Sequence, residues 1–426
     1  MPGQKSLEAT SIASPLQEEF YGSQKKYYSL YFFWLGFIIY ALSFVIKSSE
    51  HFNLKVGELL QFVGFCILLP SVINIIRFRI RNRYLLFVFV IYIFWLLSNI
   101  ARGIHFNYSY LKDSLLNSDE GILIYFAPLI LLVPQDGTFF KKLFDFIIIL
   151  GIFYLIYDVI FIQSLLDRSF ETQNVVENLV RNLSMPCGFI LLTYQYHSNR
   201  RKLFAFIVMI ISLLFSIYKA RRGLSSTLAG ILICAYFLYL FSTKNKVLIL
   251  YLSILCICLG ILYSTSIYSI NDNKLFSFIA KRGAVDTRSD VEDFFYGDMK
   301  KKDWIIGKGI NGEYYCPDID VNQVTDYRDY IETGYLQIIL KGGLIRLILY
   351  LLISVPAVVL GLFFSRNILS KAAAIWIAVA IISLYPATVE SFSLQYLLVW
   401  ISISICYTRR LRRLNDEDVL EFLQSY

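Results

Sequence analysis

The residues best suited to chemistry in this sequence are arginines. Arg221 and Arg222 stand in YKARRGLSS at 218–226, and Arg282, Arg288 and Arg328 follow in a long polar stretch. Guanidinium is permanently charged and grips phosphate through paired hydrogen bonds, so such a cluster at a membrane surface suits a diphosphate headgroup. The plainer use of each is snorkelling to lipid headgroups or pairing with nearby acids. A second group lies in DYRDYIETGYLQIILKGGLIRLILYLL at 326–352, where Glu332 is the carboxylate placed to accept a proton. A helix running from about Asp329 would put residues 332, 335 and 339 on one face, with Tyr335 beside Glu332. Arg328 would then sit four residues before Glu332, which also describes an ordinary surface ion pair. Asp318 and Asp320 in CPDID have a spacing known from metal sites, but their first reading is a solvated loop.

These residues need a scaffold, and composition identifies it. Of 426 residues, 57% are hydrophobic and only 17% charged, which is too apolar for one soluble core. Apolar runs able to cross roughly 30 Å of hydrocarbon recur along the chain. About twelve are expected, near 28–46, 57–76, 84–101, 121–135, 143–163, 180–196, 203–218, 223–241, 247–268, 335–363, 372–388 and 391–408, the fourth being short. The expected fold is all-α, a polytopic membrane protein of about twelve transmembrane helices.

Orientation follows from the short basic connections, since Lys and Arg stay on the cytoplasmic side during insertion. Gln24-Lys25-Lys26, RFRIRNR (77–83), Lys141-Lys142, HSNRRK (197–202), STKNK (242–246), SRNILSK (365–371) and TRRLRR (408–413) fall on one face if both termini are cytoplasmic. The expected domains are a cytoplasmic tail at 1–26, spans one to nine within 27–268, a large periplasmic loop at 269–333, spans ten to twelve within 334–408, and a cytoplasmic tail at 409–426. The net charge of +8 is mostly these anchors, so it argues for topology and against nucleic acid as a partner. The polar N-terminus reads as carrying no removable signal. Six of the seven cysteines lie in spans, which leaves Cys316 without an external disulfide partner.

The cytoplasmic connections are too short for a nucleotide-binding domain, and no Gly-Lys-Ser/Thr phosphate loop occurs. A facilitator made of two six-span halves would carry a long central linker, whereas the connection after the sixth span is only HSNRRK. Chemistry is therefore expected on the side of the large loop. Lys341 and Arg346 fall inside the tenth span, where an unpaired charge is costly. They are expected to line a wet cavity or to pair with an acid such as Asp158 or Glu390. Trp304, Tyr314 and Tyr315 suit either stacking on sugar rings or packing of the loop.

Three of these stretches resemble elements of the O-antigen polymerase and O-antigen ligase superfamily. ARRGLSS resembles its Ser-Arg-Gly-type element, and ETGYLQIILKGGLIRLILY resembles its His-Asn-x-Tyr-Leu-Gln segment with the following Gly-Leu-(Ile/Leu)-Gly. DWIIGKGINGEYY at 303–315 resembles the Gly-x-Gly stretch that closes the large periplasmic loop. Order and topology agree over roughly residues 200–400. The resemblance implies a GT-C-like membrane enzyme of the bacterial inner membrane that moves an oligosaccharide from a polyprenyl diphosphate to a sugar or lipid acceptor at the periplasmic face. It implies no metal or nucleotide cofactor. Partners would be the polyprenyl-diphosphate-linked oligosaccharide, membrane lipid, and a chain-length regulator and flippase of the same pathway. Glu332, Arg221 and Arg222 would be catalytic, while Arg282, Arg288, Arg328 and Tyr335 would hold diphosphate or glycan. The departures are Glu332 where ligases carry histidine, Thr333 in place of asparagine, and Arg346 where a small residue is common. Polymerisation of O-antigen or capsule repeats is thus preferred to ligation, with a flippase or transporter of lipid-linked sugar as the reading from another class.

Overall fold

A computed structural model describes residues 28–47, 53–78, 80–167, 170–242, 289–317, 325–387 and 389–424. In chain order the helices are α1 (Tyr28–Lys47), α2 (Leu54–Ile75), α3 (Arg83–Ala101), α4 (Tyr108–Leu116), a 3-10 helix (Ile122–Leu132), α5 (Gly137–Ile160), α6 (Ile162–Leu166) and α7 (Phe170–Leu179). There follow a π turn (Val180–Ser184), α8 (Cys187–Leu192), α9 (Asn199–Tyr218), α10 (Arg222–Ser242), α11 (Ser289–Asp298) and α12 (Lys301–Ile306). A two-residue strand pair, β1 (Tyr314–Tyr315) and β2 (Tyr327–Arg328), precedes α13 (Gly334–Phe363), α14 (Ile368–Ser383), α15 (Leu394–Tyr407), α16 (Arg409–Arg413) and α17 (Asp416–Gln424). Helices α1, α2, α3, α5, α9, α10 and α13 are long and apolar enough to cross a membrane. The protein is a polytopic membrane protein. The expected ninth span, 247–268, lies outside the described residues, as do Arg282, Arg288, Asp318, Asp320 and the tail at 1–26.

Polar residues at the breaks start these helices. The side chains of Asn53, Asn82, Asn107, Asp136, Ser198, Asn367 and Ser393 each accept a hydrogen bond from a backbone N–H of the first turn that follows. Each cap satisfies a donor the helix itself leaves orphaned.

Two of the expected spans are not ordinary helices. The short fourth run winds as an eleven-residue 3-10 helix containing Pro128. At ~2.0 Å rise per residue it reaches further than the same residues would in an α-helix. The sixth, 180–196, is broken into the π turn, α8 and a 3-10 turn at Tyr194–Tyr196. Pro186 has no N–H to continue the ladder through the break.

Polar contacts sort the helix ends into two faces. At one, Tyr196 and the backbone N–H of Ile368 both donate to Asp416, Asn367 donates to the carbonyls of Leu411 and Leu414, Arg201 pairs with Asp145, and Lys142 lies 5.1 Å from the Tyr31 ring. Four of the basic connections, at 141–142, 197–202, 365–371 and 408–413, lie together here. At the other, Lys112 pairs with Glu58, Phe392 N–H donates to Ser118, Tyr218 donates to Leu166, and Tyr110 donates to Asn311. This loop-bearing face carries 102–121, 161–167, 170–179, 219–222, 289–317, 325–333, 384–387 and 389–392.

The large loop has an apolar core of its own. Phe295, Met299, Tyr314, Cys316 and Ile331 pack on Leu336, Ile339 and Leu340 at the start of α13. Tyr314 is fully buried there, so packing accounts for it, whereas Tyr315 is 42% exposed. Trp304 stacks on Tyr296 with the ring planes 5° apart.

Candidate functional site

Helix α13 is two half-helices. At Gly343 the backbone turns to φ 69°, ψ 178°, a region closed to other residues, and the ladder stops. The carbonyls set loose before the break need donors, and the large loop supplies them. Lys308 N–H donates to Leu340 at 2.7 Å and Gly309 N–H to Lys341 at 3.0 Å, while the Trp95 indole donates to Gly342 at 2.8 Å. Gly307 makes this docking possible, because a Cβ on it would lie 2.5 Å from the nitrogens of Gly342 and Gly343. The guanidinium of Arg102, at the end of α3, donates to the carbonyls of Ile306 at 2.7 Å and Gly307 at 2.9 Å. The GKG step of the sequence is therefore a plug for the broken helix.

The charges inside the tenth span are both answered. Lys341 donates to the Gly312 carbonyl at 3.1 Å and faces Asp329, Glu120 and Glu313. Arg346 lies 3.0 and 2.9 Å from the two oxygens of Glu390 and rests on the Tyr125 ring, with Tyr396 donating to the same carboxylate at 3.2 Å. Glu390 is thus the acid that pairs with Arg346. Asp158 lies instead on α5, buried one turn from Tyr154.

A belt of charge lines the loop-bearing end. Arg181, in the π turn, and Arg221, just before α10, close on one carboxylate: Arg181 at 2.6 Å from one oxygen of Glu177 and Arg221 at 3.3 Å from the other. Arg221 also donates to the side chain of Asn174. Lys219 is buried and donates to Thr172 at 2.8 Å and to the carbonyl of Asp167. Asp119 and Glu120 continue the belt on the turn NSDEG at 117–121, where the Asn117 side chain accepts from their backbone N–H groups at 2.9 and 3.1 Å. Asp119 faces Arg181, and Glu120 faces Asp329 beside Lys341. Burial pushes the Asp119 carboxyl up to about 6, against the pull of Arg181. Burial, joined by the Asp329 carboxylate, raises Glu120 to about 7, with Lys341 opposing.

No family model, no curated protein and no solved structure matches the chain. Among the described residues, no three His, Cys, Asp or Glu side chains converge as a metal site requires.

The residues singled out from sequence fare unequally. Arg221 is in the belt. Arg222 is the exposed first residue of α10. Helix α13 begins at Gly334, with Thr333 as its cap, so Glu332 lies outside it, exposed, and the shared helical face with Tyr335 does not form. Arg328 is in β2, opposite Tyr314, and so is not one helical turn from Glu332. The physical reason lies in the loop core: Ile331 is buried in it, and its N–H donates to the side chain of Gln337, which keeps 329–331 out of the helix. Tyr335 is half-buried and its backbone N–H donates to Leu384. Lys219 belongs to the basic YKARRGLSS stretch singled out from sequence, but sequence reasoning missed Glu177, Arg181, Asp119, Glu120 and Asp329. The signals were the four-residue spacing of Glu177 and Arg181 and an Asn-headed turn crowded with acids.

Proposed function

We propose that this protein polymerises polyprenyl-diphosphate-linked oligosaccharide repeat units at the periplasmic face of the bacterial inner membrane. One observation carries the reading: two arginines from separate elements, Arg181 and Arg221, converge on a single carboxylate at the loop-bearing end of a membrane bundle. Two guanidinium groups aimed at one point form a cradle for an anion. Glu177 fills that cradle in the absence of substrate, and a diphosphate, with more charge and more acceptor oxygens, displaces it. The polyprenyl tail then runs down between the spans, and the fixed positive charge stabilises the diphosphate as it leaves the sugar.

Two measurements test this. Detergent-solubilised protein is given a purified polyprenyl-diphosphate repeat unit, and lengthening of the glycan is followed. Surface glycan from a strain lacking the protein discriminates the classes: single repeats fit a polymerase, polymer that never reaches its lipid core fits a ligase, and repeats trapped inside fit a flippase. Either of the last two results removes the polymerase reading.

A further inference from the structure

The cradle accounts for the leaving group and leaves the acceptor's proton unassigned. Glu332, exposed outside α13, has lost the helical geometry that recommended it. A better-built carboxyl lies at the other end of the belt. Glu120 is half-buried on a turn whose backbone is fixed by Asn117 and by the bond from Phe392 N–H to Ser118 O at 2.6 Å. Three charged groups face it: Asp329 from the segment before α13, Lys341 from the broken helix, and Asp119 on its own turn. Asp119 in turn faces Arg181 and Glu177, so Glu120 belongs to the same belt as the cradle. Asp329 is exposed, and Gln337 holds it from below by donating to its carbonyl.

We infer that Glu120 accepts the proton of the acceptor hydroxyl, with Asp329 as its outlet to solvent and Lys341 holding the charge. The inference rests on the transferase reading above. The acceptor oxygen attacks the anomeric carbon of the donor sugar and forms the new glycosidic bond. The bond from that carbon to the ester oxygen of the adjoining phosphate breaks, and its electron pair leaves with the polyprenyl diphosphate. The hydroxyl proton passes to the Glu120 carboxylate and from there through Asp329 to water. A carboxyl raised by burial and by a neighbouring carboxylate to about 7 is matched to this task, because a base works best when its proton affinity lies near the working pH.

The experiment is the pH profile of elongation by the full-length protein in detergent, with binding of the lipid-linked donor and thermal unfolding followed in parallel. Wild type is expected to gain activity as pH rises through about 7. Glu120→Gln is expected to bind donor normally, to elongate roughly 10²–10⁴-fold more slowly and to lose that rise. Asp329→Asn removes the neighbouring charge that holds the proton on Glu120, so its rise moves to lower pH, a shift that a merely structural role would not produce. Glu332→Gln is expected to follow the wild-type profile. A Glu120→Gln protein that elongates at the wild-type rate, or an unmoved rise in Asp329→Asn, overturns the inference while leaving the transferase reading intact. A folded wild type that lengthens no glycan overturns both. If Glu120→Gln does not fold, the Asp329→Asn profile decides alone.

Discussion

Arg346 and Glu390 meet inside the bundle, with one guanidinium nitrogen 3.0 and 2.9 Å from the two carboxylate oxygens and the arginine only 2% exposed. The pair joins the second half of α13 to the segment leading into α15. Breaking a buried pair by removing one partner costs about 3–5 kcal/mol, because the other charge is left in an apolar interior. Arg346→Met and Glu390→Leu are each expected to lower the unfolding midpoint of the detergent-solubilised protein sharply, and the double variant to recover most of the loss. A double variant no more stable than the worse single would show that the pair is not what these residues contribute.

Gly343 and Gly307 hold the loop in the break of α13. Alanine at Gly343 faces a backbone region costing roughly 1–3 kcal/mol, and its Cβ would lie 2.1 Å from the Ile305 carbonyl oxygen. Gly343→Ala and Gly307→Ala are expected to speed protease cleavage within 289–317 in membrane preparations without increasing cleavage in the spans. Unchanged cleavage would mean that the loop is held elsewhere.

Arg221 and Arg222 are neighbours in sequence with different surroundings. Arg221→Ala removes half of the cradle and is expected to weaken binding of inorganic diphosphate by about 10- to 100-fold, the equivalent of charge-assisted hydrogen bonds of roughly 1.5–3 kcal/mol. Arg222→Ala is expected to change it little. Glu177→Gln, which removes the competing charge, is expected to tighten it. Equilibrium dialysis with labelled diphosphate measures all three, and equal losses for the two arginine variants would contradict the cradle.

Asp119, at about 6, and Glu120, at about 7, hold protons more tightly in the folded chain than ordinary carboxyls near 4 do, chiefly through burial. The folded state therefore binds more protons than the unfolded one between pH ~4 and ~7, and stability falls as pH rises through that window. Replacing both with Asn and Gln removes the penalty. The double variant is expected to gain in unfolding midpoint over wild type at pH 8 and not at pH 4. Equal differences at the two values would refute the assignment.

Cys316 is fully buried in the loop core, so an impermeant thiol reagent is expected to miss it in the folded protein. Asp293→Cys, on the exposed side of α11, and Arg410→Cys, on α16, report the two faces instead. Labelling of the first from outside intact cells, and of the second only after the inner face is opened, is the expected pattern. The reverse pattern would invert the topology.

The membrane class was legible in the sequence, because it depends on a quantity that adds along the chain. Apolar length and the placing of Lys and Arg need no knowledge of which helix touches which, and the basic connections at 197–202, 365–371 and 408–413 do gather on one face. The choice of Glu390 for Arg346 could be narrowed to two acids but not made, since pairing across 44 residues is decided by how helices pack. The site was less legible still. Local helical geometry argued for Glu332, but the burial of Ile331 and the grip of Gln337 keep that segment non-helical until Gly334. Arg181 and Arg221, 40 positions apart, share a carboxylate only because the π turn and the start of α10 end at the same height, and Glu120 meets Asp329 across more than 200 residues. Charges this distant in sequence are brought together by tertiary packing alone, and their proton affinities follow from the burial that packing imposes.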